Sequence, residues 1–384
     1  MGVVLSRIFA VAQVLAILYW ATRVRRPFAS APGSYSLFVV FVIAHTFVTY
    51  GLLSPAELFV SDYSAVLGQE VEQIVSRAVV VAKFFGFVLF CYAVASMAGR
   101  DGHLTPIGLG LGGSLVVLLA LGRSEQLVDA GGRYTGGYAN ANAFAEVCLA
   151  ALFCNVYTLF QGRSGRAAKM VALILVAASA GGLLMSASRS ALMAILVGMS
   201  GVFAVASGRH RVLLIAIAVA ALTIVMVISP QNAFELVYRR STESLVNLRS
   251  LIWGAYLQQW REYVPFGVGL GREMTALSGP IFMDRIWPPH NTVLQVTVAY
   301  GVLGPVALLA IMLACIRRAW SRARCVGGVS ASAIALGLVL TWMTLMFTGD
   351  RLGARVFWVM LGMVFAILAA TSDTGQQEQQ GKEP

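Results

Sequence analysis

Charge is what this sequence has least of. Only 12% of its 384 residues are Asp, Glu, Lys or Arg, while 58% are hydrophobic; soluble domains carry about 25% charged residues. That excludes the two or three soluble domains the length would otherwise suggest, and leaves a series of apolar runs of about 20 residues each. The net charge of +11 comes with no dense basic block and no basic helix with interleaved aromatics, which sets nucleic acid aside as a partner. In a membrane chain, surplus Arg is first a topology signal. The five cysteines, Cys91, Cys148, Cys154, Cys315 and Cys325, show no CxxC or other metal-ligand spacing and fall in no outward loop. They support neither a disulfide framework nor a zinc site. Also missing are an Asp-x-Asp pair for a metal-held sugar nucleotide, a GxxxxGK[ST] phosphate loop and a recognisable Ser-His-Asp spacing. The apolar runs hold few ionisable residues, chiefly Lys83 and Glu146, which argues against an ion-coupled pump.

What is present is hydropathy. Eleven spans are predicted: 3–20, 34–55, 76–98, 106–122, 141–160, 170–187, 190–207, 212–229, 291–316, 327–348 and 354–371. The fold class expected is all-α, a polytopic transmembrane bundle of eleven to twelve spans. Arg23, Arg25, Arg26, Arg100, Arg163, Arg166, Lys169, Arg209, Arg211, Arg317, Arg318, Arg322, Arg324 and Lys382 occupy one alternating set of short segments, which is therefore cytoplasmic. The tail 372–384, with its QQEQQ run, is expected to be disordered and cytoplasmic. The outward set holds 56–75, 123–140, the Ser188–Ser190 turn, the segment 230–290 and Gly349–Gly353.

The polar chemistry gathers on that outward face. A loop as long as 230–290 is uncommon without a role. Within it, Ser241–Tyr263 carries Leu245, Leu248, Ile252, Tyr256 and Trp260 near helical spacing. This predicts an amphipathic helix on the membrane surface, with Trp253 and Trp260 as interfacial anchors and Arg249 on the helix. Every outward basic residue is Arg, among them Arg133, Arg189, Arg249, Arg272 and Arg351; a planar fork that is always charged suits phosphate oxygens, although high-GC codon usage also favours Arg. Arg189 is the most pointed case, held at a turn between two apolar helices among Ser186, Ser188 and Ser190. His290 alone of the four histidines lies outside, where Trp287-Pro288-Pro289-His290-Asn291 re-enters the membrane; the prolines fix an extended approach, and an imidazole suits a general base near neutral pH. Gly267-Val268-Gly269-Leu270-Gly271-Arg272 is no nucleotide loop, but its turn is expected to be able to bring backbone N–H groups near an anion.

These signals stand in one order: Arg133-Tyr134-Thr135-Gly136-Gly137-Tyr138-Ala139-Asn140-Ala141-Asn142; Ser188-Arg189-Ser190-Ala191-Leu192; Arg249 with Trp253; Pro265-Phe266-Gly267-Val268-Gly269-Leu270-Gly271; then His290-Asn291-Thr292-Val293-Leu294 and Tyr300-Gly301-Val302-Leu303-Gly304. The ordered set resembles the O-antigen ligase and Wzy-type polysaccharide polymerase superfamily over roughly residues 130–310. The resemblance implies a GT-C-type helix arrangement with a large periplasmic loop, in the bacterial inner membrane. It implies transfer of a glycan, without a metal or other cofactor, from an undecaprenyl-diphosphate donor to a sugar hydroxyl on lipid A–core or on a second lipid-linked glycan. Arg189 and Arg249 would grip the diphosphate and His290 would activate the acceptor, with inversion at the anomeric carbon. Arg133, Arg272, Arg351, Asn291 and Trp253 are the further binding candidates. The expected division is N-terminal helices over 1–129, the motif region over 130–310, and C-terminal helices over 311–371 before the tail. The competing class is a transporter of a solute or lipid-linked sugar, which would spread polar residues along several spans.

Overall fold

The computed structural model describes residues 33–51, 77–98, 104–120, 133–135, 140–161, 164–228, 248–264, 266–270, 289–326, 328–349 and 355–380. The described part is all-α. Its thirteen helices are α1 Gly33–Gly51, α2 Arg77–Ala98, α3 Leu104–Ala120, α4 Ala141–Phe160, α5 Arg166–Ser186, α6 Arg189–Val205, α7 Gly208–Ile228, α8 Leu248–Gln258, α9 Trp260–Tyr263, α10 Thr292–Tyr300, α11 Leu303–Val326, α12 Ala331–Met346 and α13 Arg355–Gln380. Helix is the secondary structure that satisfies every backbone polar group within one apolar segment. By length and composition α4, α5 and α11 can each cross a membrane, and the described residues also include shorter apolar helices.

The bundle is inside-out by soluble standards. Leu37, Ile174, Leu196, Val212 and Val306 are each more than half exposed, so helices α1, α5, α6, α7 and α11 all turn large apolar side chains outward. Water would not tolerate so much apolar surface; lipid covers it at no cost. The centre is α4, which is buried along nearly its whole length, from Ala141 to Thr158. Glycines let its neighbours come close: Gly182 of α5 lies against Cys148 and Phe144, and Gly198 of α6 and Gly337 of α12 both meet Phe153.

Helices α6 and α12 run antiparallel. Thr341 Oγ1 donates to the carbonyl of Ala194 at 3.2 Å, while further along α6 Gly201 meets Leu336 and Leu340. The start of α6 therefore lies at the end of α12. Beyond that end, the Gly349 carbonyl accepts from Thr292 Oγ1 at 2.7 Å, which brings in the start of α10. Ser188 Oγ, before α6, donates to Asn142 Oδ1 at 2.8 Å, which adds the start of α4. Tyr134 ties in the end of α3 by donating its hydroxyl to Leu118. Three helix N-termini thus meet at one end of the bundle.

Several sequence expectations need revision. The span 3–20 lies outside the described residues. The apolar run 291–316 is two helices, broken at Gly301 (φ 67°, ψ −161°), a backbone conformation open essentially to glycine. The surface helix expected over Ser241–Tyr263 is α8 followed by the single turn α9, with 241–247 outside the described residues. The last helix does not stop at 371 but continues to Gln380; Gln and Glu are good helix formers, so the segment expected as a disordered tail is helical as far as that residue.

Candidate active site

Each motif residue is fixed by a helix end. α6 begins with Ser188 as its N-cap, its hydroxyl accepting from Ala191 N. α10 begins with Asn291, whose Oδ1 accepts from Leu294 N at 3.1 Å. α4 begins with Asn140, which accepts from Ala143 N at 2.9 Å. Such caps satisfy one of the first-turn N–H groups of each helix and leave others facing the same end of the bundle, where the helix dipoles favour an anion.

Arg189 is the first residue of α6, half-buried, beside buried Ser186 and Ser188. Among the described residues its guanidinium has no hydrogen bond, ion pair or ring partner. A cation held at the mouth of an apolar bundle, unengaged among the described residues, is a candidate for binding an anionic ligand. Ala187, two residues before it, is left-handed (φ 46°) and ends α5 with its N–H on Leu184 O, a place usually taken by glycine.

His290 repeats that geometry. It is also left-handed (φ 46°), it also precedes a capping residue, and with Ala187 it makes up the non-glycine positive-φ residues among those described. Its imidazole forms no hydrogen bond there, in contrast to His45, bonded to Phe266 O at 2.6 Å, and His210, bonded to Ser207 Oγ at 2.6 Å. Burial, and then the Arg249 guanidinium nearby, hold its pKa below the ordinary histidine value of 6.5. At neutral pH it is therefore an uncharged ring with a nitrogen free to accept a proton.

Arg249 reaches His290 through the packing of α8. Ile252, Tyr256, Tyr263 and Val298 form a small core in which Trp253 and Leu294 also take part, so α8 and α9 sit on α10. Trp253 is one helical turn from Arg249 and shares its face; its Nε1–H donates to the Pro289 carbonyl at 2.7 Å. The expected interfacial anchor is thus a clamp on the peptide next to His290. Asn291 serves as the α10 cap. Arg133 is half-buried beside Tyr134, whose N–H donates to Met185 O at 3.1 Å, near the end of α5. Arg272 and Arg351 lie outside the described residues.

The Pro265–Gly271 motif behaves otherwise than its glycines suggested. The break at Gly301 strips Val298 and Ala299 of their helical donors. Val268 N–H and Gly269 N–H supply them instead, at 2.9 Å each, and Gly267 N–H bonds Tyr263 O at 2.6 Å. Those amides are spent on the protein, so this turn is no anion cradle. Gly267 (φ 77°) is required because a Cβ there would strike Ala299 O and Gly301 N. His45 of α1 holds this segment through Phe266 and packs its ring on Tyr300. The Asn142–Ser188 and Thr292–Gly349 bonds were likewise missed; Asn142 and Thr292 stood in the quoted motifs, but nothing in a sequence names a partner so far along the chain.

Residues 171–309 match the family model described as Wzy_C, O-Antigen ligase. The matched stretch takes in α6, α8 and the start of α10, and with them Arg189, Arg249 and His290. No curated protein matches the chain.

Proposed function

From the match of residues 171–309 to the O-antigen ligase family model, we infer that the chain is a membrane glycan transferase of the O-antigen ligase and Wzy superfamily and that its donor is a glycan on undecaprenyl diphosphate. The transfer runs on the periplasmic face of the inner membrane. The acceptor is a sugar hydroxyl, on lipid A–core if the enzyme is a ligase or on a second lipid-linked glycan if it is a polymerase. The observation that carries this reading is a pair of groups at one end of the bundle that are unengaged among the described residues: the Arg189 fork, with no hydrogen bond, ion pair or ring partner there, and the His290 ring, held neutral with no hydrogen bond there.

The chemistry follows from their properties. Arg189 and Arg249 bind the diphosphate oxygens and stabilise the charge that grows on them as the bond to the anomeric carbon breaks. The bonding electrons leave with the diphosphate. The acceptor oxygen forms the new bond to the same carbon from the opposite side, and its proton passes to the imidazole of His290. Attack opposite the leaving group inverts the anomeric configuration. No step calls for a metal, since the guanidinium groups supply the positive charge a divalent ion would bring.

The test uses purified full-length protein, undecaprenyl-diphosphate glycan and both acceptors, with and without EDTA. Transfer that survives EDTA and is lost in Arg189→Ala and His290→Ala supports the site and mechanism. Full activity in both variants sinks the site assignment, and strict dependence on added divalent metal sinks the mechanism.

A further inference from the structure

At the end of the bundle away from Arg189, the arginines divide into two groups. α6 ends there at Val205, α4 ends there at Phe160, whose ring packs on His210, and the turn after α11 comes in at Gly328 beside the same histidine. Arg211 is engaged with the protein: its Nε and Nη2 donate to the Phe203 and Ala204 carbonyls at 3.0 and 3.2 Å. Arg322 of α11 is engaged too, donating to the Leu368 carbonyl of α13. Arg317 and Arg324 of α11 are exposed, and among the described residues their guanidinium groups have no hydrogen bond, ion pair or ring partner.

These two cations stand on one stripe of α11. Val306, Leu309, Leu313, Arg317, Trp320 and Arg324 follow at steps of three and four residues, so they share a face, and all six are exposed. The stripe is apolar over its first half and then carries Trp320 between the two arginines, along about 10 Å of helix axis. Leu368 fixes its level. The apolar part of α13 ends at Ala369 and Arg322 sits on Leu368, so the change from Leu to Arg falls near the edge of the apolar zone, where Trp is enriched in membrane proteins.

We propose that this stripe binds an anionic phospholipid of the adjoining leaflet, its acyl chain along Val306, Leu309 and Leu313 and its phosphate between Arg317 and Arg324. The site is separate from the one inferred for glycan transfer and does not depend on it. Charge and order select the occupant. A free anion would use the arginines and leave the apolar half without purpose. A second copy of this chain, docked through the same face about a two-fold axis, would set Arg against Arg. A lipid with a charged head and a hydrocarbon tail matches both halves at once. Each arginine at an anionic leaflet favours association by roughly fivefold, so the pair favours anionic over zwitterionic lipid by about tenfold or more at low salt.

The experiment uses the full chain in nanodiscs of phosphatidylcholine with a minority of phosphatidylglycerol, and the photoreactive Trp320→p-benzoylphenylalanine, which keeps an aromatic ring on the stripe. After irradiation, mass spectrometry counts the lipid adducts. Phosphatidylglycerol should be enriched about fivefold or more over its share of the bilayer, and high salt should lower that enrichment. Arg317→Gln with Arg324→Gln should reduce it to less than about twofold, while Arg317→Lys with Arg324→Lys, which keeps the charges, should retain it. Arg166→Gln with Arg209→Gln, which removes as much charge from exposed arginines elsewhere at this end, should leave it unchanged; matched melting temperatures show that the variants fold. If the Arg317 and Arg324 glutamine pair does not fold, the salt series decides on the unaltered arginines, and enrichment that high salt leaves untouched overturns the proposal. Adducts in the bilayer's own lipid ratio overturn it, as do equal losses in the two glutamine pairs, which would make the preference a property of total charge. Protein–protein adducts would show that a second copy covers the stripe, and overturn it too. Glycan transfer is no part of the readout, so every outcome leaves the functional reading where it stands.

Discussion

Trp253→Phe isolates the clamp over His290. The substitution keeps an aromatic ring in the small core beneath α8 and removes one donor, the Nε1–H that meets the Pro289 carbonyl at 2.7 Å. Pro289 is buried, so its carbonyl has no easy recourse to water, and leaving it unpaired costs about 1–3 kcal/mol. At 1.4 kcal/mol per tenfold, the docking of α8 on the re-entry peptide weakens by about 5- to 150-fold. Arg249 rides on the same face of α8, so it withdraws with the clamp. Both causes of the low His290 pKa, burial and the Arg249 charge, then relax together, and the pKa rises. The sign for activity follows. In the role proposed for His290 the imidazole must be neutral to take the acceptor proton, so activity is lost as pH falls through its pKa; a higher pKa moves that acid limb to higher pH. The expected result is a transfer rate down at least fivefold at pH 8, with a larger loss at pH 6, measured with saturating donor and acceptor. A variant with normal rates at both pH values, or a uniform loss with an unmoved acid limb, refutes the claim that Trp253 positions the base.

Three further outcomes follow from the same structure. Among the described residues the Arg189 guanidinium has no hydrogen-bond, ion-pair or ring partner, so Arg189→Ala should lose about 100-fold or more in transfer while its stability changes by less than about 0.5 kcal/mol; Arg189→Lys should recover only part of the rate, and a fully active Lys variant would show that the fork is not used. Gly267→Ala should destabilise α8 and α9 by about 1–3 kcal/mol, seen as faster hydrogen exchange over 248–270, because a Cβ on that positive-φ residue meets the α10 carbonyls; unchanged exchange would remove the strain argument. Cys325 is exposed while the other four cysteines are buried, and it sits at the arginine-rich end of α11, so a membrane-impermeant thiol reagent should label the unmodified protein only after spheroplasts are opened. Labelling of intact spheroplasts would reverse the orientation.

What the sequence disclosed, and what it withheld, divides along one physical line. Arg189 was legible because a charge between two long apolar runs is costly wherever it lies; that cost is local and needs no partner to be seen. His290 was legible because two prolines dictate the backbone that leads to it. The break at Gly301 was hidden because hydropathy passes through it undisturbed: the residues on both sides are equally apolar, and only the lost carbonyl partners mark the place. Those partners, Val268 and Gly269, lie thirty residues away in the chain. The glycine run therefore read as a turn waiting for an anion when its amides belong to α10. His45 and Trp253 were opaque for the same reason, since each acts by a hydrogen bond to a carbonyl in another segment.

The two left-handed residues connect the legible and the hidden parts. Ala187 and His290 share φ 46°, a conformation that costs a side-chain-bearing residue about 1–2 kcal/mol. Each is followed at once by a capping residue, Ser188 or Asn291, and then by a helix. In each case a long-range bond holds the junction: Ser188 to Asn142, and Thr292 to Gly349. The same backbone device thus delivers Arg189 as the first residue after one cap and His290, the proposed base, as the residue before the other. A flexible loop would carry the same residue types without the strain, but it would not hold them still. A reaction that needs a fork on the leaving group and a base on the far side depends on that fixity, and helix ends braced against one another provide it where loops alone would not.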